Sequence, residues 1–257
     1  MRKKILLIGA NGFLGKEIFK KFIKNYKIVK FNNYKSKKDI RNKKFLQIVS
    51  NKYGPFDIIV NLSGQISSNL KKTKSINVDG TKNIIQVFGD KAMLICFSSL
   101  TIGAKTSTLS NVKKNYISSK KKMEEIVIKN TRNFKIIRLG NVYNDILNKK
   151  GLMKNLKLHF FSGKKFRLQN KTEKNYYVHV SDFLRIFDGI LKKRSSKRII
   201  NIATEKYSNM QLYSIFKYFY DSNSKIKNKF ILKSVDNLKN ELFKPNFTLV
   251  KTIKNIK

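Results

Sequence analysis

"KKILLIGANGFLGKEIFKKF", residues 3–22, decides how the rest of the chain is read. Ile5 to Ile8 form an unbroken aliphatic run of the kind a strand buried on both faces needs. Phe13, Ile18, Phe19, Phe22 and Ile23 then recur at helical spacing. Between the two lie Gly9, Gly12 and Gly15, at i, i+3 and i+6. A strand that runs through glycines into a helix aims unpaired N–H groups and the positive end of the helix dipole at the turn, where phosphates bind. Gly9 permits the tight turn, Gly12 the approach of a pyrophosphate and Gly15 the close packing of helix on strand. The stretch predicts a dinucleotide site built from Gly9, Asn11, Gly12, Phe13, Leu14 and Gly15.

Apolar runs of strand length recur at 27–31, 56–62, 92–99, 134–139 and 198–203, most of them separated by segments of helical period. Strands alternating with helices imply an α/β fold, a Rossmann-type doubly wound parallel sheet with right-handed crossovers. After about residue 145 the alternation loosens. The expected organisation is a dinucleotide-binding domain over 1–145 and a small C-terminal substrate-binding region over 146–257, interleaved with the last sheet strands at about 176–203.

The chain has 257 residues and a formal charge of +42, from 57 Lys and Arg against 15 Asp and Glu. Such an excess points first to nucleic acid or an anionic membrane. The lysines, however, are dispersed among Asn and Ile along the whole length and gather into no arm or stripe, as codons rich in A and T would produce. A solvated basic surface is expected, with no specific nucleic-acid partner, and one that steers anionic substrates inward. Cys96 is the one cysteine, so it is read as a buried, inert thiol in a reducing compartment. The basic start is followed by an apolar stretch that Gly9 and Asn11 interrupt, and no run approaches a membrane span, so a cytoplasmic protein is expected. No His, Cys or Asp cluster has metal-ligand spacing, and no metal is expected.

The interval Gly-x-x-Gly-x-x-Gly resembles the short-chain dehydrogenase/reductase superfamily, particularly its extended branch, the NAD-dependent epimerase/dehydratase family that modifies nucleotide-sugars. Further stretches match that family in order. "FDIIVNLSGQIS" (56–67) resembles its strand and turn beside the cofactor, and "SINVDGTKNIIQ" (75–86) its Asn-Val-x-Gly-Thr-x-Asn helix, with Asn77 at the structural Asn. "CFSSLTIG" (96–103) is similar to the strand end carrying the catalytic Ser. "YISSK" (116–120) matches Tyr-x-x-x-Lys, and "YVHVSD" (177–182) a late His-Val-x-Asp element. The resemblance implies catalysis by Ser99, Tyr116 and Lys120, with Lys120 also on the nicotinamide ribose. It implies cofactor contacts from Leu62, Ser63, Gly64, Asp39 and Ile40, the last two at adenine. It also implies substrate contacts from Ser99 and Asn141, a nucleotide-sugar substrate, and a homodimer paired through helices near 76–88 and 114–130.

Chemistry supports those roles. Tyr116 and Lys120 share one helix face, and a neighbouring ammonium is expected to lower the phenol from its ordinary pKa of about 10 so that it can exchange a proton with a sugar oxygen. Ser99 would hold that oxygen still. Asn32 falls where an acidic residue binds the adenosine ribose of NAD, and Lys35, Lys37 and Lys38 follow, so the cofactor is left as NAD or NADP.

Departures narrow the reaction. Family dehydratases carry an Asp-Glu pair after the position of Ser99, whereas this chain has Leu100 and Thr101, which argues against elimination. Asn175 stands where a pyrophosphate-binding Arg is found, with Arg167 and Lys174 nearby as substitutes. His179 is read as supporting the fold. What remains is epimerisation through a keto intermediate, with two alternatives: an NADPH-dependent keto-sugar reductase resembling dTDP-4-dehydrorhamnose reductase, or a non-catalytic dinucleotide-binding subunit.

Overall fold

The computed structural model describes residues 1–31, 39–104, 109–145, 151–192, 195–221 and 245–256, with the backbone of 236–237. Asn32, Lys35, Lys37 and Lys38 lie outside the described residues. The chain forms two compact units, one of Met1–Arg138 with Ser196–Asn201, the other of Leu139–Ser195 with Ile202–Lys257. The division thus falls a few residues before 145, and a short strand segment returns to the first unit.

The first unit is built on β1 (Lys4–Ile8), β2 (Lys27–Phe31), β3 (Ile58–Asn61), β4 (Met93–Ser99), β5 (Phe134–Leu139) and β8 (Ile199–Ile202), in the order β2-β1-β3-β4-β5-β8 of a six-stranded parallel sheet. Its helices are α1 (Phe13–Phe22), α2 (Lys43–Tyr53), α3 (Leu70–Lys74), α4 (Gly80–Phe88) and α5 (Asn111–Asn130). Side chains alternate across the sheet. Leu6, Ile8, Ile59, Leu94, Cys96 and Ile136 face a core shared with Leu46 and Val49 of α2, Ile84 and Ile85 of α4, and Met123 and Val127 of α5. Ile5, Leu7, Val60 and Ile95, which point the other way, are at most 1% exposed, as a sheet covered on both faces requires.

Strand order reverses between β1 and β3. In such sheets the crevice beyond the carboxyl ends of the two strands is the ligand site. The glycine turn follows β1 and the Leu62-Ser63-Gly64 turn follows β3, so the topology alone puts both sequence-predicted loops at that crevice.

The second unit holds β6 (Asn141–Tyr143), α6 (Leu152–Ser162), β7 (Lys174–His179), α7 (Val180–Leu191), β9 (Glu205–Ser208), α8 (Asn209–Tyr220), β10 (Asp236–Asn237) and α9 (Leu249–Lys254). Its sheet runs β10-β9-β7-β6, with β6 parallel and β9 antiparallel to β7. Tyr143, Leu156, Tyr207, Leu212, Phe216, Leu249 and Ile253 form its core. Buried Glu205 accepts hydrogen bonds from the Tyr143 and Tyr207 hydroxyls at 3.0 and 2.8 Å and from Leu249 N, fixing the start of α9. Asp182 does the same for the backbone N–H groups of Asn246 and Phe247. Among the described residues, no helix is long and apolar enough to cross a membrane.

Candidate active site

The glycine turn has the geometry its sequence demands. Gly9 sits at φ +81°, a conformation side chains disfavour, and its N–H donates to Phe31 O at 3.1 Å. A Cβ on Gly15 would stand 2.4 Å from Gly9 O and 2.6 Å from Ala10 Cα, so no side chain fits between helix and turn. Gly12 is the extended N-cap of α1, no side chain caps the helix, and its first turn contains no acidic residue. The N–H groups of a helix's first turn have no acceptor within the helix, an arrangement that favours an anion. Phe13, Leu14 and Gly15 form that first turn, and Asn11 precedes it.

The turn after β3 closes the other side. Asn61 Oδ1 accepts from Ser63 N at 3.0 Å and from the Ser63 hydroxyl. A Cβ on Gly9 would lie 3.2 Å from the backbone of Leu62, and one on Gly64 would lie 3.5 Å from Lys120 Nζ. Gly9, Leu62, Gly64 and Lys120 are therefore neighbours although 111 residues of sequence separate the first from the last.

Asp39 and Ile40 divide the role expected of them. Ile40 is buried against Gly80, at the start of α4, and Asn83 Nδ2 donates to Ile40 O and Arg41 O at 2.9 and 3.1 Å. Asp39 is gripped by the Arg41 guanidinium, with Nη2 at 2.6 Å and Nε at 3.0 Å. Burial works to raise the Asp39 pKa, but the hydrogen bonds and charge of Arg41 outweigh it and hold the carboxyl low. The carboxylate expected at adenine is thus already partnered.

Asn77 lies in a π-helical turn, Ser75–Asp79, between α3 and α4. Its amide accepts from Gln65 N at 2.8 Å and donates to Gln65 O and Ser119 Oγ at 3.0 and 2.9 Å. Ser119 in turn donates to Tyr116 O at 2.7 Å. Asn77 and Ser119 thereby fasten the loop after β3 to the turn of α5 that carries the reactive residues.

Ser99 ends β4 beside Tyr116 and works to lower the pKa of its hydroxyl. Lys120, one turn along α5, is buried and donates from Nζ to Phe97 O at 2.8 Å. Sequence reasoning expected the ammonium to lower the Tyr116 pKa. In the structure burial dominates instead and pushes the phenol up to about 12, with Ser99 working the other way. The Lys120 amine lies 5.9 Å from the Tyr116 ring centre and is engaged by a backbone carbonyl. Burial lowers Lys120 itself to about 8, against the opposing influence of Cys96 and Glu124. Cys96 is buried and its thiol is pushed up to about 12 by desolvation, in keeping with an inert role.

A family profile described as "NAD dependent epimerase/dehydratase family" matches residues 5–203. The chain belongs to that family. Solved structures share its fold at low identity. A dTDP-glucose 4,6-dehydratase from Bacillus anthracis in complex with NAD superposes with a TM-score of 0.75 at 17% identity, covering 99% of this chain and 95% of that one. A dTDP-4-dehydrorhamnose reductase from the same organism, in complex with NADP, gives 0.72 at 17% identity, covering 100% and 98%. A UDP-glucose 4-epimerase from Thermotoga maritima, with UDP-glucose, gives 0.70 at 16%, covering 98% and 97%. No curated protein matches the chain in sequence.

The family's late elements fall in the second unit. Asn141 is exposed at the start of β6, and Arg167 is exposed between α6 and β7. Asn175 is half-buried and donates to Asn209 Oδ1 at 3.1 Å, and Asn209 holds the carbonyls of Gln169 and Asn170. His179 is built into the fold: Nδ1 accepts from Ser181 N at the start of α7, and the ring stacks on Phe247 at 4.1 Å. Its pKa is lowered by burial, against the pull of Asp145. Among the described residues no group of three or more His, Cys, Asp or Glu is placed to hold a metal.

Sequence reasoning missed Thr101, Ser119 and Asn83. Ser119 had a legible signal, since a serine three residues after Tyr116 reaches its carbonyl within one helical turn. Asn83 is the last Asn of the Asn-Val-x-Gly-Thr-x-Asn stretch, but its role was not legible there because its partners lie 42 and 43 residues away in sequence.

Proposed function

We propose that the protein is an NAD(P)-dependent enzyme that oxidises or reduces a sugar carbon of a nucleotide-sugar, and that it epimerises that carbon through a keto intermediate. The placing of Ser99 beside Tyr116, with buried Lys120 one turn along the same helix, carries the reading. The uncapped glycine turn of α1 fits a pyrophosphate, and the neighbouring Gly64 and Lys120 suit the nicotinamide ribose. Asp39 and Ile40 would mark the adenine end. A bound nicotinamide would supply a reversible hydride acceptor at the reacting carbon.

The chain's own residues do the rest. In its ionised form Tyr116 takes the hydroxyl proton as the sugar is oxidised, becoming a neutral phenol, and returns that proton when the carbonyl is reduced on its other face. Ser99 donates a hydrogen bond to that oxygen in its carbonyl form and fixes its position. Buried Lys120 supplies the positive charge that favours the ionised form of Tyr116 before the proton is taken. Leu100 and Thr101 provide no acid or base for elimination. Exposed Arg167 is the proposed contact for a substrate diphosphate. Two copies would pair through α4 and α5, where Lys82 and Lys122 are ion-paired with Asp79 and Glu125 and exposed Lys121 and Lys129 make the pairing depend on salt.

A second reading, reduction of a keto-sugar by NADPH, is favoured by Asn32 and the lysines after it. Denaturing freshly purified protein and assaying released NAD(H) and NADP(H) separates the two. Near-stoichiometric nicotinamide means a cofactor kept through turnover and supports epimerisation. An empty protein that binds and oxidises NADPH supports reduction. One that binds neither cofactor overturns both, and one that binds a cofactor without turning over any nucleotide-sugar leaves a non-catalytic dinucleotide-binding subunit.

A further inference from the structure

We infer that Thr101 is a positioning residue for Ser99 and Tyr116, the outer member of a chain of three hydroxyls. The sequence offers no hint of this, since Thr101 attracts notice only as a residue that cannot replace a dehydratase carboxylate. In the structure its Oγ1 lies 2.8 Å from Ser99 Oγ, and its backbone N–H donates to the same oxygen at 3.2 Å. On its other side Ser99 lies beside the Tyr116 hydroxyl and favours its ionisation. The short 3-10 turn Leu100–Gly103, which begins directly after β4, folds the threonine back onto the serine.

The consequence follows from counting protons. A serine hydroxyl has one hydrogen to donate and two lone pairs to accept with. When Tyr116 is ionised it can only accept, so Ser99 must donate to it. Thr101 must then donate to Ser99, which fills the second lone pair beside the one taken by its own N–H. When Tyr116 is neutral the chain can reverse, Tyr116 to Ser99 to Thr101. Thr101 thus gives the serine proton a place to go in one protonation state and a push from behind in the other. Aligned hydroxyls polarise one another, so the third member strengthens the bond that stabilises the phenolate. Once a keto-sugar oxygen occupies the site, the same alignment presents the Ser99 proton to it.

This inference rests on the proposed function for its kinetic part and stands without it for its spectroscopic part. The experiment compares wild type with Thr101→Val, which keeps the shape and removes the hydroxyl, and Thr101→Ser, which keeps the hydroxyl. Ionisation of Tyr116 is followed in NAD(P)-saturated protein as tyrosinate absorbance, isolated by subtracting the titration of a Tyr116→Phe variant. Turnover is followed across pH with nucleotide-sugar substrates. Thr101→Val is expected to move Tyr116 ionisation to higher pH and to lower kcat at neutral pH about tenfold, the scale of one hydrogen bond, with KM unchanged. Thr101→Ser is expected to recover most of both, and melting temperatures of the two variants within a few degrees of wild type would exclude misfolding. A Tyr116 titration in Thr101→Val identical to wild type overturns the inference, as does a Thr101→Ser variant that behaves like Thr101→Val. If no nucleotide-sugar is turned over by any of the proteins, the functional reading fails and the tyrosinate titration still decides the role of Thr101.

Discussion

Replacing Lys120 by Met should make the cofactor-free protein more stable while removing its activity. Burial takes the Lys120 pKa from its ordinary 10.5 to about 8, so the folded state carries this charge at a cost on the order of 3 kcal/mol below pH 8. Methionine has a similar unbranched length and no charge to desolvate. The replacement also strips Phe97 O of the hydrogen bond it accepts from Nζ at 2.8 Å, which takes back about 1–2 kcal/mol. The net gain at pH 7 is about 1–2 kcal/mol, or about 2–6 °C in melting temperature for a chain of this size.

The sign with pH is fixed by the direction of the displacement. A lysine whose folded pKa is depressed destabilises fully below about 8, and that penalty fades as pH rises toward 10.5, where the unfolded chain also loses its proton. Wild type should therefore gain on Lys120→Met between those limits. Paired urea titrations at pH 7, 8, 9 and 10 measure the difference directly and cancel the contribution of the other basic groups. A Lys120→Met protein less stable than wild type at pH 7, or a difference that does not change with pH, would refute the reasoning.

Gly15→Ala should weaken dinucleotide binding by more than tenfold and cost about 1–3 kcal/mol of stability, because its Cβ meets backbone at 2.4 and 2.6 Å; calorimetric titration and thermal melts check both. Glu124→Gln breaks a two-pronged pair with Arg138, at 2.7 and 3.1 Å, in which the carboxylate is 6% exposed, and should cost about 2–4 kcal/mol in urea unfolding. Sedimentation at low ionic strength should show mainly monomer, with pairing through α4 and α5 appearing only as salt screens their outward lysines; a dimer indifferent to salt would contradict the like-charge argument.

The fold was legible because its signals are local and periodic. A buried aliphatic run, glycines at fixed intervals and a helix of regular period survive in one dimension, and the β1 turn followed from them. Tyr116 and Lys120 were legible for the same reason, being one helical turn apart. The electrostatics were not legible. Sequence spacing brings an ammonium near a phenol, but only packing decides whether charge or desolvation controls the proton, and here burial raises one pKa and lowers the other. Partnerships made across the fold were hidden too: Asp39 reads as a free carboxylate until Arg41 curls back onto it, and Asn83 reads as surface until it is found holding the turn at Ile40. Thr101 shows the limit most sharply. Its residue type excluded the chemistry of a carboxylate, and that exclusion concealed its position at the end of a hydroxyl chain. A residue that cannot move a proton by itself can still set the direction in which its neighbour does.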